Sequence, residues 1–218
     1  MGTCRTLRGR RWTRSLAFAV LVVQLLFSGF AAGEEGVWSK HSVLLPANAP
    51  FRVLAPDRRR AVFVEGKSLT VLEAGQRLEG LEGYSLLGRS EIGWSPDSKA
   101  FFLTASEQSA EGPWYVVLFT IENGRVALNE PFENIFARMH DRYPCLGTTD
   151  PDMGAVQWIK DSTEILIAAQ VPKRSACPDR GALRGFVLRA SSGEIKREFD
   201  EEHLRETFSN HLGGRIAE

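Results

Sequence analysis

The chain has 218 residues, 43% of them hydrophobic, with 27 basic and 27 acidic side chains and a formal net charge of zero, a length that suffices for one domain with a real core. The neutrality hides an asymmetry: the first 33 residues carry five arginines (Arg5, Arg8, Arg10, Arg11, Arg14) and no acid, so the remainder holds 22 basic against 27 acidic groups, a net of −5. A mildly acidic body lacks the basic footprint that nucleic-acid phosphates or an anionic membrane surface require, which argues against both as partners.

Leu16–Phe30 is an apolar run interrupted by Gln24, Ser28 and Gly29; Ala31, Ala32 and Gly33 follow, then Glu34 and Glu35. A basic start, an apolar middle and a small-residue end are the order of a secretory signal peptide. The run is shorter than the ~20 residues a bilayer span needs. The expectation is a signal peptide over 1–33, no stable membrane span after its cleavage, and a periplasmic or secreted body over 34–218. An uncleaved anchor stays open, and Arg10-Arg11 raises a twin-arginine route that Trp12-Thr13-Arg14 fits loosely. Cys4 leaves with the leader; Cys145 and Cys177 remain. In an exported protein an isolated pair most simply forms one disulfide. The alternative is a metal or redox pair, although the spacing is unlike C-x-x-C and His140 is the nearest histidine.

In the body, Val37–Leu45 contains an expected strand and Arg52–Val64 a hairpin. Ser68–Leu72 is the next strand, and Gln76–Leu87 has room for one short outer strand. Ile92–Leu103 (IGWSPDSKAFFL) reads as strand, turn, strand: proline pre-sets φ at the first central turn position, and Asp and Ser bond nearby backbone groups. Trp114–Ile121 is continuously apolar, as a strand covered on both faces would be. Asn123-Gly124 is a turn signal, and Val126–Leu128 returns. An insertion follows over about 129–155. In it Phe132, Ile135, Phe136 and Met139 lie on one helical face, with Pro131 opening the helix and Asn129 or Glu130 near its cap. This stripe is expected to pack on a sheet. Val156–Ala169 is a third hairpin, Val171–Leu183 a long loop, and Arg184–Arg189 and Ile195–Phe199 a last pair of strands. A C-terminal helix is expected over about 200–212, capped by Asp200, stopped by Gly213, and stapled by Phe199 and Leu204.

The three hairpins share a turn. Ala55-Pro56-Asp57-Arg58, Ser95-Pro96-Asp97-Ser98 and Ile159-Lys160-Asp161-Ser162 place aspartates at intervals of 40 and 64 residues. About 40 residues is the length of a four-stranded propeller blade, and the insertion accounts for the longer interval. The segment S-P-D-S-K-A-F-F-L resembles the S-P-D-G-x-x motif of TolB-like and WD-like β-propeller repeats. The resemblance covers three segments of about a dozen residues. It departs from the family pattern at the glycine, replaced by Arg58, Ser98 and Ser162, and at the proline, replaced in the third copy by Lys160. It implies a mainly β fold: antiparallel hairpin or blade repeats forming a partial β-propeller, with a short inserted helix and a C-terminal helix. Asp57, Asp97 and Asp161 are then structural turn residues.

The chemistry-bearing residues form no recognisable catalytic set. There is no G-x-S-x-G elbow, no phosphate-cradling glycine loop and no HExxH. The histidines are scattered at His41, His140, His203 and His211; the last two stand two helical turns apart. Asp150 and Asp152 offer dense oxygens for calcium, without the spacing of a calcium loop. No cofactor is expected. The leading expectation is therefore an exported, non-catalytic interaction or scaffold module with a partner in the cell envelope, for which Lys173, Arg174 and Arg180 offer a docking loop. A small-ligand or carbohydrate binder using Trp114 and Tyr115 is the alternative. A hydrolase using His140, Asp150 and Asp152 is a further one.

Overall fold

The computed structural model describes residues 36–46, 50–82, 84–86, 88–107, 112–130 and 132–217; the expected signal peptide lies outside them. Strands β1 (Val43–Leu44), β2 (Phe51–Leu54), β3 (Arg60–Glu65), β4 (Ser68–Glu73) and β5 (Gln76–Arg77) come first. Then follow β6 (Arg89–Trp94), β7 (Ala100–Ser106), β8 (Trp114–Glu122) and β9 (Arg125–Asn129). Helix α1 (Glu133–Arg142) and a 3₁₀ turn (Pro144–Leu146) lead to β10 (Asp152–Ile159), β11 (Glu164–Gln170), β12 (Leu183–Arg189) and β13 (Ile195–Phe199). Helices α2 (Glu201–Phe208) and α3 (Gly214–Ala217) come last. The described strands form three antiparallel sheets, each a meander in chain order: β2-β3-β4-β5, β6-β7-β8-β9 with β1 added beside β6, and β10-β11-β12-β13.

The period-2 alternation of each strand decides which core it enters. Val53, Val62, Val64, Leu69 and Val71 of the first sheet meet Ile92, Phe101, Leu103, Val117 and Phe119 of the second. The opposite face of the second sheet sends Phe102, Val116 and Leu118 against Ile165, Ile167, Phe186 and Leu188 of the third, with Ile135 and Met139 of α1 closing that core. The far face of the third sheet, with Leu166, Ala168 and Val187, lies under Leu204 and Phe208 of α2, Ile216 of α3 and Trp38. The second and third sheets are therefore covered on both faces, which is why β7, β8 and β11 read as continuous apolar runs.

Several expected boundaries move. The strand expected over Val37–Leu45 shrinks to Val43–Leu44; the rest is a strap whose backbone bonds go to side chains and to the link between α2 and α3. The third hairpin begins at Asp152, so the insertion ends sooner than 155. Helix α1 has Phe132 at its N-cap without a side-chain cap bond, and the Asn129 amide donates to Ala190 O instead. Its buried face holds the helix in place of a cap. Asp200 does cap α2, accepting from His203 N–H at 2.9 Å. The helix stops at Phe208 rather than near 212 because the next residues pair with the strap: Leu212 bridges Ser39, and Gly213 N–H donates to Trp38 O. Cys145 and Cys177 form a disulfide with Cα atoms 5.2 Å apart, pinning the loop after β11 to the end of the insertion.

Candidate functional site

The first two repeated turns have the same construction. Arg58 N–H donates to Ala55 O, and Ser98 N–H to Ser95 O, closing four-residue turns with proline in the first central place. Asp57 Oδ1 accepts from Arg59 and Arg60 N–H, and Asp97 Oδ1 from Lys99 N–H. The residue after each aspartate is left-handed: φ is 58° at Arg58, 62° at Ser98 and 73° at Ser162. Glycine adopts this conformation most readily, and here three L-residues hold it at the same place in each turn. The third turn lacks proline, and Lys160 and Asp161 are left-handed as well, at 45° and 52°.

The second and third turns also bond to the turn before them. Ser98 Oγ accepts from Asp57 N–H at 2.9 Å, and Ser162 Oγ accepts from Asp97 N–H at 3.2 Å. Four residues earlier in the repeat a tryptophan does the same: Trp94 Nε1–H donates to Val53 O at 3.3 Å, and Trp158 Nε1–H to Gly93 O at 3.2 Å. The second sheet thus grips the first as the third grips the second, with a serine and a tryptophan at matching positions. The first sheet carries Arg58 and Leu54 at those positions. Leu54 is 39% exposed, and Phe63 and Leu72 beside it on the outward face are half-buried, next to exposed Arg52.

The strap supplies the most buried electrostatics. Val37 and Trp38 donate their N–H groups to the fully buried Glu91 on β6. Burial raises the Glu91 carboxyl to about 7, against those two N–H bonds and the Ser42 hydroxyl, which favour the charged form. Asp152, fully buried at the start of β10, accepts from Arg174 at 2.8 Å, from Arg215 at 2.9 Å and from Trp114 N–H at 3.2 Å. The Arg215 guanidinium lies over the rings of Trp38 (5.2 Å) and Trp114 (5.8 Å), which meet edge to face at 6.2 Å. Gly154 passes under the Trp38 indole, where a Cβ would stand 2.0 Å from the ring.

This network reassigns several residues singled out above. Asp152 is held by two arginines, so its oxygens are committed to cations of the chain itself and it is not a free partner for calcium or for His140. His140 bonds Phe136 O within its own helix at 2.8 Å, and Asp150 is exposed in the loop before β10. Trp114 is 1% exposed and packs in the third core; Tyr115 is half-buried against the first. Of the basic loop, Arg174 pairs with Asp152 while its side chain stays 34% exposed, and Lys173 and Arg180 are exposed as well. The Cys145 and Cys177 sulfurs gather with Asp179, but they are bonded to each other and offer no thiolate to a metal.

A cleft of about 570 Å³ opens between the second and third sheets at the turn end, lined by Asp97, Lys99, Glu122, Lys160, Glu164 and Arg189. Its charges are balanced, and Lys160 already pairs with Glu164 at 3.1 Å. Among the described residues no helix is long and apolar enough to cross a membrane. The sequence matches no protein-family model, and no curated protein is detectably similar to it. The fold and the chemistry of its surfaces therefore carry the functional argument.

Proposed function

We propose that the chain is an exported, non-catalytic protein-interaction module built of propeller-type repeats, working in the periplasm or outside the cell, and that the outward face of its first sheet receives the partner. The observation behind this reading is the interrupted seam. Serine and tryptophan bonds join each sheet to the one before it, and at the first sheet Arg58 and Leu54 stand in their places with Phe63 and Leu72 alongside. An apolar stripe rimmed by arginines on a sheet face is the chemistry of an interface. The disulfide and the signal-like leader support export. A second reading, a small polar ligand held between the second and third sheets, draws on the cleft near Lys99 and Glu164.

A photo-crosslinking residue at position 54, and separately at Glu206 on α2, discriminates the proposal in intact cell envelopes. One dominant protein adduct from position 54, suppressed by Phe63→Asp and missing from position 206, is the expected result. Equal adducts from both positions, or none from position 54, would overturn it.

A further inference from the structure

The strap and the link between α2 and α3 run side by side. Ser39 and Leu212 form an antiparallel bridge, Lys40 N–H donates to His211 O at 3.0 Å, and Gly213 N–H donates to Trp38 O at 2.9 Å. This pairing brings together two imidazoles 170 residues apart in sequence. His41 Nε2 and His211 Nδ1 lie 2.5 Å apart, with ring centroids 4.8 Å apart and planes inclined by 38°. His41 is exposed; His211 is partly buried and sits edge-on to Phe208.

We propose that His41 and His211 form a binding site for a divalent transition-metal ion of the zinc or copper kind, with His41 Nε2 and His211 Nδ1 as its two protein ligands and water completing the shell. Imidazole nitrogen suits zinc, copper and nickel, whereas calcium and magnesium require oxygen. Metal–nitrogen bonds of about 2.0–2.1 Å at a tetrahedral angle place the two nitrogens roughly 3.3 Å apart. The rings therefore need to part by less than ~1 Å, and the exposed His41 side chain is free to turn that far. Backbone bonds already hold the two segments together, so little ordering remains to oppose binding. When a metal takes both lone pairs, the proton that bridges His41 Nε2 and His211 Nδ1 moves to the far nitrogen of its own ring, so the two neutral rings end with protons on His41 Nδ1 and His211 Nε2 and none is lost. A bound ion ties the strap to the C-terminal segment and so stabilises the folded state alone.

The test is thermal unfolding of tag-free protein in zinc chloride, copper chloride and calcium chloride. At tenfold excess over the dissociation constant, zinc or copper is expected to raise Tm by about 3–6 °C, and calcium to leave it unchanged. The increase disappears in His41→Ala and in His211→Ala and survives in His140→Ala and His203→Ala. The exposed position of His41 makes its alanine variant a folded one, and its Tm without metal checks this. An increase that persists in His41→Ala, one that is lost in His203→Ala, or none in the wild type would overturn the proposal.

Discussion

Replacing Glu91 with glutamine separates the buried carboxyl from every other titrating group. In the unfolded chain this carboxyl titrates near its ordinary value of 4.5, and in the folded protein burial raises it to about 7. Between those values the native state binds more protons than the unfolded state. Stability from Glu91 is therefore fully present below about 4.5 and is lost as pH rises through about 7. The gap corresponds to about 3 kcal/mol in all, of which roughly 2–3 kcal/mol falls between pH 5 and pH 8. Urea unfolding of wild type and Glu91→Gln across that range reads the effect as a difference of slopes, in which shared groups cancel. Glutamine cannot charge, so the variant should gain about 2–3 kcal/mol on the wild type from pH 5 to pH 8, whatever its starting offset. Parallel stability curves would refute the reasoning, since they would mean that Glu91 titrates alike folded and unfolded.

Asp152→Ala should cost about 3–5 kcal/mol in urea unfolding because it removes the fully buried carboxylate that Arg215, whose side chain is 9% exposed, pairs with, whereas Arg174→Ala should cost less than that. Arg58→Gly should stabilise by about 1 kcal/mol by relieving a left-handed arginine. Ser98→Gly at the matching position should gain less, because it removes the hydroxyl that accepts from Asp57 N–H; equal gains at the two sites would contradict the seam. Cys145→Ala with Cys177→Ala should cost about 3–4 kcal/mol by the loop-closure argument for a sequence separation of 32 residues, measured by unfolding under identical non-reducing conditions.

The residues that act through their own neighbours were readable without a structure. The Pro-Asp turns, the apolar run of β8, the helical face of Ile135 and Met139 and the Asp200 cap are local or periodic features, and each sits where the pattern puts it. The cysteine pair was legible because a body expected to be exported, with two thiols left outside the expected leader, most simply joins them. The left-handed backbone at Arg58, Ser98 and Ser162 was not legible, since nothing in an L-residue's identity announces it.

The long-range partnerships were decided by tertiary structure. Glu91 became a buried carboxyl because Val37 and Trp38 cross the second sheet 53 or more residues away in sequence, and Asp152 became an ion-pair centre because Arg215 returns from the far end of the described chain. His41 and His211 carry no spacing signal, since a backbone bridge between Ser39 and Leu212 creates their meeting. Trp114 had the composition of a binding aromatic, and only its depth beneath Trp38 and Arg215 made it core. A sequence states local conformational preference and which faces are apolar. Which apolar faces meet, and which charges they bury in meeting, depends on chain segments whose separation leaves no periodic trace.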